Sequence, residues 1–337
     1  MKLYCILSAC LLMLLQLFSC KEQQMMVEQV VNIPVKQATA NSTVRHEDFI
    51  ASIDSLLLRP DSGCYVASVQ DVCLSDSCVA ILDVAKSIFI FNLNTGKQVA
   101  LLNNTGHGKG EYVDPKSIMM HNGLLYVLDF KTSRILKYDD EFKYCGDVRI
   151  GFPACDFSIV DNGFVLYNMN ATNDLKRVVH TDFDGNIINS FLVPKETIGI
   201  MPTDKVFTED GFGNVFYIAP QENMIYRLAE DTIDVAFTLG YEDEPEPPQS
   251  GGKLKTKFSL ISSKYILTQF VADRYVLTNV YNTQTGVSEA GIVSTGTNFP
   301  FVPQLSQKDV LFSVVHPFDK TTMREKQDLY LVRYTLK

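Results

Sequence analysis

The chain has 337 residues, of which 46% are hydrophobic and 20% charged, with 19 Gly and 13 Pro. These values exclude wholesale disorder, collagen and coiled coil. Lys and Arg total 30 against 39 Asp and Glu, a net charge of −9 that repels phosphate backbones and argues against a nucleic-acid partner; Trp is absent, and with it every motif that needs one.

Residues 1–20 read MKLYCILSACLLMLLQLFSC, with Lys2 as a minimal positive start and an apolar run of signal-peptide length, too short for a comfortable bilayer span. The end, Leu17-Phe18-Ser19-Cys20, resembles a bacterial lipobox. That resemblance implies a signal peptide over 1–19 and lipidation of Cys20. The protein is then exported and anchored to a membrane through its N-terminal lipid. Residues 20–48, polar and turn-rich with one short strand candidate at Val30–Val35, read as the tether, and 49–337 as the folded domain.

Cleavage leaves Cys64, Cys73, Cys78, Cys145 and Cys155. Export permits disulfides. Cys73 and Cys78 flank a short turn and could bridge neighbouring strands, and Cys145 with Cys155 is a second possible pair; all five are equally readable as small buried hydrophobes. No Cys-x-x-Cys occurs, so zinc is not expected.

From Val79 onward the chain is a series of short segments rich in Val, Ile, Phe and Tyr, bounded by Gly, Asn and Asp. Glu47–Leu57 reads equally as helix or strand. An aromatic residue or Leu followed by a polar turn recurs at Phe91, Tyr138, Phe183, Leu228, Tyr281 and Tyr334, with spacings of 47, 45, 45, 53 and 53. After each of the first five comes another apolar strand. Six four-stranded units that cannot bury their faces alone predict an all-β, six-bladed β-propeller. The sixth unit lacks its fourth strand, so an N-terminal strand around Ile53–Leu58 completes the last blade and closes the ring.

Between the first two units stands Asn104-Thr-Gly-His-Gly-Lys-Gly-Glu-Tyr-Val-Asp-Pro115. This turn, with the lipobox, the tether, the Ile-Leu-Asp strand at 81–83 and the Phe-Asn-x-x-x-Gly-Lys turn at 91–97, resembles six-bladed propeller lipoproteins of Bacteroides-type bacteria, TolB-like and NHL-like in fold. The resemblance implies a cell-envelope location on the outer membrane, periplasmic or surface-facing. It specifies no activity, because a fold does not carry one.

The turn should lie near the channel mouth. There Gly106, Gly108 and Gly110 permit positive φ and free amides, and His107 and Lys109 could assist an anion; alternatively Glu111 accepts backbone amides and Tyr112 packs between blades. Asp83, Asp129, Arg134, Asn168, Asn170 and Glu222 fall near loops on the same face. His107, Lys109, Glu111, Tyr112, Asp129 and Arg134 are therefore the ligand-binding candidates. An oxygen-rich face could also hold a divalent cation, as in lactonase-like propellers, although no metal ligand set or other cofactor is assigned. Residues 241–257, acidic and Pro-rich and then basic, read as a solvated loop or a partner-binding flap. No Gly-x-Ser-x-Gly, His-Glu-x-x-His or local catalytic pairing occurs. The sequence thus reads as a monomeric, non-enzymatic lipoprotein that binds a partner protein, glycan or small ligand at its loop face. The alternative is a metal-dependent hydrolase or lyase of the lactonase-like class.

Overall fold

In the computed structural model, residues 30–36, 38–39, 41–192, 202, 205–219, 222–229, 232–241, 255–272, 275–319, 324–325 and 327–337 are described. Cys20, the signal peptide and residues 242–254 lie outside them. Val31–Lys337 forms one compact unit.

Five blades are built from consecutive antiparallel strands, named here by their innermost and outermost members. Blade 1 runs from Val69–Leu74 to Gln98–Leu102, blade 2 from Pro115–His121 to Tyr144–Arg149, and blade 3 from Ala154–Val160 to Ile187–Phe191. Blade 4 runs from Phe207–Glu209 to Ile233–Tyr241 and blade 5 from Lys255–Ile261 to Ser288–Ser294. Blade 6 takes Leu305–Gln307, Val310–Val315 and Leu329–Leu336 from the C-terminal end, and its outermost strand is Ile50–Leu58. Leu56 stands opposite Leu331 in an antiparallel register. The ring thus closes as the sequence predicts, and Glu47–Leu57 resolves into a single 3-10 turn, His46–Asp48, followed by this strand.

The recurrent aromatics explain why the units stack. Phe91, Tyr138 and Tyr334 are fully buried near the ends of third strands, and apolar clusters fill the spaces between blades. Leu82 and Ile90 of blade 1 meet Ile118 and Val127 of blade 2; Val79 and Phe91, on the opposite face, meet Phe312 and Leu331 of blade 6. Both faces of each sheet are covered. The second strands are therefore continuous apolar runs, such as Val79-Ala-Ile-Leu82, and not alternating ones.

The stretch placed in the tether by sequence joins the folded unit through Val31–Val35 and Thr43–Arg45. Val31–Val35 adds parallel to the outer strand of blade 4, with Ile33 opposite Leu239, and Thr43–Arg45 adds parallel to the outer strand of blade 5. Ile33, Val35 and Val44 are buried there, so short apolar residues in a polar stretch suffice to fix it. With Ile50–Leu58, it forms a belt along the edges of three successive blades.

The described cysteines are free thiols. The register explains why Cys73 and Cys78 do not bridge. Cys73 stands opposite Ala80 and Cys78 opposite Asn92, so the two are diagonal, not directly paired. Diagonal neighbours on one face are about 7–8 Å apart, their Cβ atoms somewhat less, whereas a disulfide needs a Cβ separation of about 3.5–4.5 Å. Cys145 is exposed on the outer strand of blade 2, while Cys155 is buried on the inner strand of blade 3.

Candidate functional site

The glycine turn is held together by its own atoms. Gly106 N donates to Tyr112 O and Tyr112 N to Asn104 O, each at 2.9 Å. Glu111 folds its carboxylate under the loop and accepts Gly108 N at 2.7 Å. A Cβ on Gly106 would lie 2.1 Å from Glu111 Oε2, so Gly106 is there to make room for the carboxylate; of the three glycines only Gly110 takes a left-handed φ, +74°. Tyr112 is fully buried, donates its hydroxyl to Leu102 O at 2.9 Å, and has its phenol pushed up to about 12 by burial. Tyr138 likewise donates to Gly110 O at 3.1 Å.

Two further candidates fasten this turn to blade 2. Asp129 is 0% exposed and accepts Val113 N at 3.0 Å, Asp114 N at 2.8 Å and Thr132 Oγ1 at 2.6 Å. Arg134 donates to Glu111 O at 3.0 Å, Thr132 Oγ1 at 3.0 Å and Asp147 Oδ2 at 2.8 Å. Asp83 repeats the role of Asp129 in blade 1, accepting Ala67 N and Ala85 N. The oxygen-rich loop face therefore turns much of its chemistry inward. Only His107 and Lys109 of the six candidates stay exposed, with Lys109 Nζ 5.9 Å from the centre of the Tyr144 ring. Among the described residues, no group of three His, Cys, Asp or Glu could hold a metal ion.

A different site lies on the ring axis. A cavity of about 320 Å³ is lined by all six blades, including Leu74, Met120, Phe157, Glu209, Phe258 and Leu305. It reaches the turns that join first to second strands, at Gly211, Gly213 and Lys308. Propeller connectivity puts those turns on the face opposite the glycine turn. Its wall mixes aromatic rings and thioethers with Ser158, Ser306, Gln304 and Gln307. Glu209 accepts Ser158 Oγ at 2.7 Å through Oε1.

Lys205 lines the same cavity and is held by a buried polar cluster that the sequence reading did not single out. Its Nζ lies 3.1 Å from Asp71 Oδ1. Ser117 Oγ stands 3.0 Å from Asp71 Oδ2 and 2.8 Å from Asp156 Oδ1. Asp71 also accepts Val72 N at 2.7 Å and Ile118 N at 2.8 Å; Asp156 accepts Val206 N at 2.7 Å and Phe207 N at 3.1 Å. Each aspartate thus satisfies amides of a neighbouring blade that the exposed inner edge would otherwise leave unpaired. Register shifts at Val69/Asp71, Pro115/Ser117 and Ala154/Phe157 bring these side chains to the clustered position. Burial raises the Asp156 carboxyl, with Lys205 opposing and Asp71 reinforcing the shift. Burial works against the Lys205 ammonium, but Asp71 and Asp156 outweigh it and hold its pKa above the ordinary value. Burial also raises the Cys73 thiol and keeps it neutral.

Residues 30–333 match the model of a family described as Domain of unknown function (DUF4934). No curated protein matches the chain. Among solved structures, a Bacteroides fragilis NCTC 9343 protein inferred to be exported is 18% identical, covers 91% of this chain and 100% of its own, and superposes with a TM-score of 0.71. A member of the DUF4221 family from Bacteroides vulgatus is 8% identical over 86% of this chain and 97% of its own, with a TM-score of 0.55. A streptogramin B lyase is 10% identical over 84% and 98%, with a TM-score of 0.53. Likeness at these identities extends to the fold and no further.

Proposed function

The chain belongs to the DUF4934 family, and from that footing we propose that it is an exported, monomeric binding protein that holds a small, partly apolar ligand in its central channel without transforming it. One observation carries the reading: a cavity of about 320 Å³ lined by all six blades, walled by aromatic and thioether groups with a few placed polar ones, which is the usual make-up of a ligand pocket. The inward bonding of Glu111, Tyr112, Asp129 and Arg134 moves the proposed site away from the glycine turn. His107 and Lys109 remain for a protein or glycan partner at the loop face. No observation favours the hydrolase or lyase reading, and no metal or cofactor is invoked.

The test is a thermal-shift screen of small amphipathic compounds against the wild type and Gln307→Trp. Gln307 is exposed at the cavity rim, so a bulky side chain narrows the mouth without disturbing the core. A ligand at 100 times its Kd stabilises by about 2.7 kcal/mol. The expected result is stabilisation of the wild type that Gln307→Trp loses. Binding equal in both proteins would refute the channel site.

The same reading places the protein in the cell envelope, on the outer membrane, through a diacylated Cys20. The signal-like run of residues 1–19 supports this, as does the inferred export of the similar Bacteroides fragilis protein. Each buried acyl methylene contributes about 0.8 kcal/mol, so two chains anchor firmly where one is marginal. Metabolic labelling with an alkyne fatty acid is expected to mark the wild type and not Cys20→Ala; equal labelling would remove the anchor from the proposal.

A further inference from the structure

The cluster behind the cavity contains more acceptors than its visible protons can serve. Ser117 Oγ is within hydrogen-bond distance of a carboxylate on each side, Asp71 Oδ2 at 3.0 Å and Asp156 Oδ1 at 2.8 Å. A hydroxyl carries one hydrogen and can donate to only one of them. With both acids ionised, the other contact would set oxygen lone pairs against each other in a buried site. One added proton resolves it.

We propose that the channel wall contains a proton-binding site in which Asp156 is protonated at neutral pH, donates to Ser117 Oγ, and leaves Ser117 to donate to an ionised Asp71 paired with Lys205. The assignment of the proton follows from the donors on each acid. Asp71 has the Lys205 ammonium in contact at 3.1 Å as well as two amides. Asp156 receives three amides but, among the described residues, no ammonium within salt-bridge distance, and it is 3% exposed, so its charge has no counter-ion in contact. The charged groups facing Asp156 are Lys205, from the connection into blade 4, and Asp71, from blade 1. The neighbouring Cys73 and Cys155 are held as neutral thiols by burial.

The charges then balance: Asp71 and Lys205 cancel, and Asp156 adds none. Release of the proton to solvent leaves the carboxylate uncompensated and turns the deep wall of the cavity from neutral to net negative. The raised carboxyl gives the direction of the pH effect. Stability from the protonated acid is fully present below the unfolded-state value and is lost as pH rises through the raised folded value.

Infrared spectroscopy of the whole protein tests the site. A protonated carboxylic acid gives a carbonyl stretch distinct from that of a carboxylate. The expected result is such a band in the wild type at pH 7. It should be absent from Asp156→Asn, which cannot carry the proton but keeps one oxygen acceptor for the surrounding amides. That variant, whose amide nitrogen meets a backbone N–H in either orientation, should melt below wild type at pH 7 but lack the wild type's loss of stability on further alkalinisation. No protonated-acid band in the wild type at pH 7 overturns the proposal, whatever the variant does. A band that persists in folded Asp156→Asn also overturns it, because the proton then sits elsewhere.

Discussion

A chain that begins at Arg59 is expected to show no cooperative melting transition and to elute as aggregate. Such a chain lacks the outermost strand of blade 6, whose Ile50–Leu58 backbone pairs along Leu329–Leu336. It also loses the buried side chains of Ile33, Val35, Val44, Phe49, Ile50 and Leu58. Each such side chain contributes about 1.5–3 kcal/mol on burial. The sum is on the order of 10 kcal/mol, comparable to the whole stability of an ordinary domain at about 5–15 kcal/mol. Exposing the edges of blades 4, 5 and 6 together leaves unpaired amides and carbonyls ready to pair between molecules. A chain that begins at Phe49 keeps the closing strand and loses only the two parallel additions, so it should fold with a lower melting temperature. Circular dichroism melts with size-exclusion chromatography decide the matter. A cooperative, monomeric Arg59 variant would mean that the ring holds without its belt.

Asp71→Ala is expected to lower the melting temperature by roughly 6–20 °C at neutral pH. Removing one partner of a buried pair costs about 3–5 kcal/mol, because the other charge stays buried without compensation. In a protein of this size each kcal/mol moves the midpoint by about 2–4 °C. Asp71 is 6% exposed; its loss strands the Lys205 ammonium and also leaves Ile118 N without its acceptor. Lys205→Met should cost less, since Asp71 keeps Val72 N, Ile118 N and Ser117. The Asp71→Ala/Lys205→Met double variant should lose less than the sum of the two single changes, and the double-mutant cycle by calorimetry measures the coupling. Additivity of the two single changes would show that the pair does not act as a unit.

The propeller was legible because the repeat is physical. Phe91, Tyr138, Tyr281 and Tyr334 recur because each is buried against its neighbours, whereas Phe183, at the same place in the series, is 39% exposed. The closing strand was legible as the missing member of a repeat. The belt ahead of it was not. Val31–Val35 and Thr43–Arg45 are short, sit among polar residues, and pair in parallel with strands some two hundred residues away. Of the two readings of the glycine turn, the closed one, with Glu111 taking an amide and Tyr112 packed, is what the structure holds. Glycines signal exposed amides, but Glu111 lies close enough to Gly108 to take its amide, and Gly106 bonds across to Tyr112. Sequence does not distinguish an amide facing solvent from one closed on its own loop. The channel cluster left a faint trace: Asp71 and Asp156 each interrupt the start of an apolar inner strand. What made them meet Ser117 was the local register shift in each strand, which periodicity alone does not reveal.

The pairing of Ile50–Leu58 with Leu329–Leu336 also sets a clock on biogenesis. A ribosome releases the first of these strands long before the second, so the circle cannot seal while synthesis is under way. Until Leu329–Leu336 emerges, the early strand waits without its partner across a loop of about 270 residues, and closing so long a loop is slow. The nascent molecule therefore stays open and threadable until Leu329–Leu336 is released, and a helper that shields the waiting strand should raise the yield of folded protein.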